Sequence, residues 1–341
     1  MDFDTTGKVS LEHIYTQPDP RAYFSTLREL EYQIPQLAKP YFAKIIDERR
    51  EECPDRPLRV LDIGCSYGVN AALLKFDVSM DDLYERYDRH DQARSASPRE
   101  TLVAEDQALA RTRAGQNDIE VIGLDSSRPA LDYALDAGFL DSALHADLES
   151  RDPTAPEQAC LADLDLVIST GCLGYVTDRT IARVIASSAA GPGAPRDGAE
   201  SGPTGGGPTG NRSAGNRPAG SGPAGGGPPG SRAGAGGGPA SGPRRGPSGR
   251  LPWMAHFALR MFPFDPIEQT LARFGYETVS TDRLFEQRRF ASRREQDQVL
   301  ATLADVGVDP SGLEADGWLY AQLFVSRPRS GRETNPAPAP S

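Results

Sequence analysis

The segment Val60-Leu61-Asp62-Ile63-Gly64-Cys65-Ser66-Tyr67-Gly68 constrains the fold of this chain more than any other. A short apolar run leads into an aspartate, a turn with two glycines follows, and a helical pattern starts at Val69. Glycines between a buried strand and a helix N-terminus let a ligand approach backbone N–H groups that have no partner inside the helix. The dinucleotide fingerprint G-x-G-x-x-G would need glycines at positions 66 and 69, where this chain has Ser66 and Val69. An NAD-dependent oxidoreductase therefore fits the turn poorly. A P-loop is excluded, because no Gly-Lys-Ser/Thr follows.

Strand and helix patterns alternate around this turn. Asp19-Pro20 opens a helix carrying Tyr23, Phe24, Leu27 and Leu30 at helical spacing. A second helix, carrying Leu37, Tyr41, Phe42, Ile45 and Ile46, runs to about Glu52. The apolar runs predict strands over 59–63, 119–124, 142–146, 164–169, 253–262, 276–290 (in two pieces) and 318–326. Helices are expected over 69–87, 127–137, 178–189, 265–274 and 292–306, with a polar surface excursion containing some helix over 88–117. Strands alternating with helices predict an α/β, doubly wound, mainly parallel sheet. Two strands with a single helix between them close the chain, which suits an antiparallel strand at that end.

Composition divides the chain. Residues 191–250 hold 22 glycines, 11 prolines and no aromatic residue. Such a segment cannot offset its ordering entropy by burying surface, and it is expected to be a disordered Gly/Pro/Arg-rich insertion. It carries a charge of +5 against a chain total of −11, so the other residues carry −16. A body that acidic repels phosphate backbones, so nucleic acid is a poor partner. The expected organisation is an N-terminal helical cap over 1–58, one domain over 59–190 and 251–328, the insertion over 191–250, and a disordered tail over 329–341. Cys53, Cys65, Cys160 and Cys172 form no C-x-x-C pair, and with the scattered histidines they give no metal site. The acidic start Met1-Asp2-Phe3-Asp4 is no signal peptide, and no apolar run nears the roughly 20 residues of a membrane span. A cytoplasmic setting is the expectation.

The stretch 60–68 resembles the first motif of class I S-adenosylmethionine-dependent methyltransferases. The order of the remaining features is similar to that family too: Asp125 ends the second strand, Asp147 follows the third, and a strand and loop over 165–175 occupy the place of the fourth motif. The resemblance covers about 59–325 with the insertion set aside. It implies a seven-stranded Rossmann-like methyltransferase fold whose last strand runs antiparallel, with S-adenosylmethionine as cofactor. It further implies that Gly64, Cys65, Ser66 and Gly68 line the methionine part, while Asp62 holds the turn and faces the amino-acid end. Asp125 would accept from the ribose hydroxyls, Asp147 and Leu148 would meet the adenine, and Ser169, Thr170 and Gly171 would lie beneath the sulfonium. The 57 residues from Gly68 to Asp125 exceed the usual spacing, so this reading requires 88–117 to be an insert.

The acceptor is less legible. A reactive methyl needs alignment and, for a hydroxyl, removal of a proton. His13, Tyr15, Tyr175 and His256 are the candidates for that work, set against packing roles for Tyr175 and His256. Arg288 and Arg289 read as an exposed pair, and Cys65 and Cys172 as structural residues. No Asn/Asp-Pro-Pro-Tyr/Phe and no Pro-Cys follows the fourth strand, which argues against methylation of DNA bases. The expected function is methyl transfer to a small-molecule acceptor. The alternatives are a non-catalytic protein that binds the cofactor or its product and uses a disordered arm for a partner, and an NAD-dependent oxidoreductase. Because 193–249 carry no core residues, their deletion is expected to leave the thermal unfolding transition and cofactor binding intact; collapse of the transition in the deletion variant contradicts this.

Overall fold

The structure, a computed structural model, describes residues 12–91, 98–113, 118–190 and 250–329. Residues 191–249 of the expected insertion and 330–341 of the expected tail lie outside the described residues. The strands are β1 (Leu58–Ile63), β2 (Ile119–Asp125), β3 (Ser142–His145), β4 (Leu166–Thr170), β5 (Trp253–Leu259), β6 (Tyr276–Arg289) and β7 (Trp318–Pro328). They form one sheet in the order β3-β2-β1-β4-β5-β7-β6. The β1–β2, β1–β4, β2–β3 and β4–β5 pairs are parallel, while β7 runs antiparallel to both β5 and β6. This is the α/β, mainly parallel, seven-stranded Rossmann-like arrangement with one reversed strand.

Among the described residues eleven helices accompany the strands: α1 (Glu12–Tyr15), α2 (Arg21–Glu29), α3 (Ile34–Glu52), α4 (Val69–Lys75), α5 (Met80–Asp91), α6 (Arg99–Thr112), α7 (Arg128–Asp136), α8 (Ala155–Cys160), α9 (Asp178–Ala190), α10 (Asp265–Arg273) and α11 (Arg293–Asp305). Alternate residues of β1 point to opposite faces, and both faces are covered. Val60 packs with Val121, Ile168 and Ala255 in a core that includes Ala38, Phe42 and Ile46 of α3. Leu61 and Ile63 pack with Ile122, Val167 and Met254 in a second core with Ile181, Val184 and Ile185 of α9. A third core is rich in aromatics and joins Tyr23, Phe24 and Leu27 of α2 to Tyr84 and Tyr87 of α5 and Tyr133 of α7. There the rings of Phe24 and Tyr87 stack 4.5 Å apart. Among the described residues no helix is long and apolar enough to cross a membrane.

Three elements differ from the sequence expectation. The helix expected over 69–87 breaks after Lys75, where Phe76 is extended. A reciprocal cap starts α5 afresh: Ser79 Oγ accepts from the N–H of Asp82, and Asp82 Oδ2 accepts from the N–H of Ser79. Residues 276–290 form one strand rather than two, with register shifts between Ser280 and Leu284 and between Glu286 and Arg288. The short α8, with its Thr154–Glu157 capping box, has too few residues to show a helical period.

The excursion over 88–117 is anchored by a buried carboxylate on α6. Asp106, fully buried, accepts from Tyr87 at 2.7 Å, from Tyr133 at 2.6 Å and from Arg86 Nε at 2.6 Å. One residue of α6 thus fixes both α5 and α7. Asp106→Ala leaves two buried phenols and a guanidinium without their acceptor, and it is expected to cost about 3 kcal/mol of unfolding free energy in denaturant titrations. A loss below about 1 kcal/mol would show that the anchor is not Asp106.

Candidate functional site

The turn after β1 is built for backbone donors. Gly64 and Ser66 both have left-handed φ angles, 69° and 50°, a conformation that is costly for a residue with a Cβ such as Ser66. The N–H of Ser66 donates to Asp125 Oδ2 at 2.9 Å, and Asp125 Oδ1 accepts from the N–H of Ser127 at 2.8 Å. One carboxylate at the end of β2 therefore holds the β1 turn and the start of α7 together. At Gly64 a Cβ would lie 2.7 Å from Cys172 Cβ, so the close packing of this turn against the loop after β4 requires glycine. At Gly171, in that same loop, a Cβ would run into Gln287 Nε2.

These turns border a cavity of about 530 Å³. Of the residues expected to hold a cofactor, Gly64, Cys65, Ser66, Asp125, Asp147, Leu148, Thr170 and Gly171 line it. Asp62, Gly68 and Ser169 do not; all three lie beneath the lining. Asp62 is fully buried and takes a hydrogen bond from Asn70 Nδ2 at 3.1 Å, and burial pushes its carboxyl up to about 7. A Cβ on Gly68 would face Ala134 and Phe139. Ser169, also fully buried, bonds His256. Burial raises the Asp125 carboxyl as well, although the N–H groups of Ser127 and Ser66 favour its charged form.

The four acceptor-side candidates separate. Tyr15 and Tyr175 line the cavity, Tyr175 at its rim with 43% of its surface exposed. His13 is exposed and outside the lining. His256 is enclosed within β5, its Nδ1 2.8 Å from Ser169 Oγ and its Nε2 without a partner. Burial alone pushes its pKa down to about 4.

The sequence reading missed the other half of the lining. Tyr23, Leu27, Tyr32 and Pro35 come from the cap, Asn70 from the first turn of α4, and Gln287 and Arg288 from the end of β6. Asn70 Nδ2 lies 3.1 Å from Thr170 Oγ1 as well as from Asp62. The expected exposed pair Arg288–Arg289 is half wrong. Arg289 is on the surface, but Arg288 is 5% exposed and meets both carboxylate oxygens of Glu295, at 3.0 and 2.7 Å. The physical reason is that the end of β6 docks on the cap: Gln33 N–H donates to Gln287 O, and Arg289 N–H donates to Leu30 O. An acid at the i+7 position from Arg288 was the available signal.

The cap is also fastened to the β1 turn. Tyr67 OH reaches the carbonyls of Gln17 at 2.9 Å and Ile14 at 3.1 Å, and Ser127 Oγ donates to the Tyr15 carbonyl at 2.5 Å.

No protein-family model and no curated protein matches the sequence. Solved structures with similar folds include the plantazolicin methyltransferase BpumL in complex with a monoazolic desmethylPZN analog and SAH, at 10% identity over 93% of each chain with a TM-score of 0.40. Another is the magnesium protoporphyrin IX methyltransferase ChlM from Synechocystis PCC 6803 with bound SAM, at 11% identity over 85% of this chain and 79% of that one, TM-score 0.34. A third is the [4+2]-cyclase SpnF, at 12% identity over 84% and 80%, TM-score 0.33. Likeness at this level assigns no chemistry; the argument for function rests on the cavity.

Because His256 is neutral in the fold and titrates near 6.5 when unfolded, its contribution is complete above pH 6.5 and is lost as pH falls towards 4. Stability of the wild type relative to His256→Asn is expected to drop by up to about 3 kcal/mol between those pH values in urea titrations. A pH-independent difference would contradict a buried neutral imidazole.

Proposed function

We propose that this protein binds S-adenosylmethionine in the cavity above the β1 turn and transfers its methyl group to a small-molecule acceptor. The single observation that carries the reading is the convergence of the glycine turn, Asp125 and the 147–148 segment on one cavity, in a sheet with a single reversed strand.

The residues present fit the cofactor. Ser66 Oγ and Asn70 Oδ1, both on lining residues, are buried without hydrogen-bond partners, so the wall around the turn has polar capacity that the protein itself does not use. Ser66 and the backbone of 64–66 would hold the methionine part, and Asp125 would accept from the ribose hydroxyls. Both Asp125 oxygens already accept one N–H, which fixes the carboxylate and leaves lone pairs for two more donors. Leu148 supplies an apolar face for a base, and Asp147 is held by the N–H groups of Glu149 and Ser150. When bound, the cofactor supplies an electrophilic methyl group. The chain's own contribution is to align donor and acceptor and to exclude water, tasks that fall to Thr170, Gly171 and the cap residues over them.

Asp125→Ala is expected to weaken S-adenosylmethionine or S-adenosylhomocysteine binding at least ~10-fold by calorimetry, the loss of one good contact. Unchanged affinity would overturn the ribose assignment. Release of S-adenosylhomocysteine in the presence of an acceptor panel separates methyl transfer from binding without catalysis.

A further inference from the structure

The cavity is chemically two-sided. Its carboxylates, Asp125, Asp147 and Glu149, all come from the ends of β2 and β3. The cap side presents Tyr15, Tyr23 and Tyr32 instead. Successive rings stand nearly at right angles: Tyr15 and Tyr23 are 5.6 Å apart at 69°, and Tyr23 and Tyr32 are 6.5 Å apart at 84°. The three rings form the walls of a corner. Thr170, on the loop after β4, faces the same cavity and takes a hydrogen bond from Asn70 Nδ2.

Building on the methyl-transfer reading, we propose that this tyrosine corner is the acceptor subsite and that the acceptor atom is an amine nitrogen. Three observations converge on this. First, aromatic faces attract cations, by about 0.5 to 2 kcal/mol, and methylation turns a neutral amine into an ammonium. The amine lone pair forms the new N–C bond, the electron pair of the breaking C–S bond stays on sulfur, and the nitrogen then sheds its proton to water. Charge develops on the nitrogen as the bond forms, so rings placed there favour the transition state over the neutral amine.

Second, a hydroxyl acceptor would need a base, and the described cap residues that line the cavity offer only phenols for that work. Among the described residues that line the cavity there is no histidine, and burial raises the pKa of all three phenols, keeping them protonated. Third, the described cap residues that line the cavity carry no positive charge. Arg288 is the one cation among the lining residues described, and Glu295 neutralises it through both carboxylate oxygens.

The test uses the full chain loaded with S-adenosylhomocysteine and titrated by NMR with choline and its neutral carbon isostere, 3,3-dimethylbutan-1-ol. Choline is expected to bind about tenfold more tightly, a preference kept in Tyr23→Phe and Tyr32→Phe and lost in Tyr23→Leu and Tyr32→Leu. Equal affinity of the two probes for the wild type overturns the proposal without any variant, as does a preference that survives both leucine substitutions. In a turnover arm, S-adenosylhomocysteine release with matched amines supports it, and release with the corresponding alcohols alone overturns it. Failure of S-adenosylhomocysteine to bind in calorimetry defeats the cofactor reading instead, and so is distinguishable from failure of the amine assignment.

Discussion

The carboxylate of Asp125 ties together two turns that stand 59 positions apart in the chain. By accepting from Ser66 and Ser127 it holds a serine in a left-handed conformation and sets the first turn of α7 against the β1 turn. Burial opposes a charge at this position, and the N–H donors offset only part of that cost. The wall of the cavity is therefore made by the same bonds that join β1 to β2. Their register, Leu58 opposite Ile119 through Ile63 opposite Leu124, brings the two strand ends level. A displaced register would move Asp125 away from Ser66 and open the site.

The cap depends on this joint. Tyr67, the neighbour of Ser66, and Ser127, which Asp125 itself bonds, hold the backbone of 14–17. On the other side the end of β6 pairs with residues 30–33, carrying Gln287 and Arg288 into the lining. The tyrosine corner is thus suspended between the turn after β1 and the end of β6, which pairs antiparallel with β7. Fixed aromatic walls are what an acceptor site needs if alignment, rather than proton removal, is the protein's main contribution.

The parts of the fold and site that were legible share a short range. The nearly fully buried β1, β2, β4 and β5 show as apolar runs, β7 shows by alternation, and the reversed strand was foreseen from the shortage of helices at the chain end. Eight of the eleven residues expected at the cofactor line one cavity, because each sits within a few positions of a strand's carboxyl end. Asp62, Gly68 and Ser169 belong to the same motifs but face inward; a motif names a segment, while the side-chain direction at each position depends on what packs behind it. The break between α4 and α5 was missed because Ser79 and Asp82 lie inside an otherwise helical pattern, and their cap outweighs it.

The β1 turn, the alternation of strands and helices and the acidic residues at strand ends were written in the sequence, since each reflects local backbone geometry or the period of a buried strand. The three-tyrosine corner and the buried Arg288–Glu295 pair were not, whereas the packing role weighed for His256 on its apolar strand is the one the fold shows. The corner and the pair arise where residues 12–52, β6 and α11 come together, through contacts such as Arg289 with Glu31, 258 positions apart. No local period encodes such meetings, so whether an arginine or a tyrosine lies on the surface or in the site is settled only when the distant segments pack.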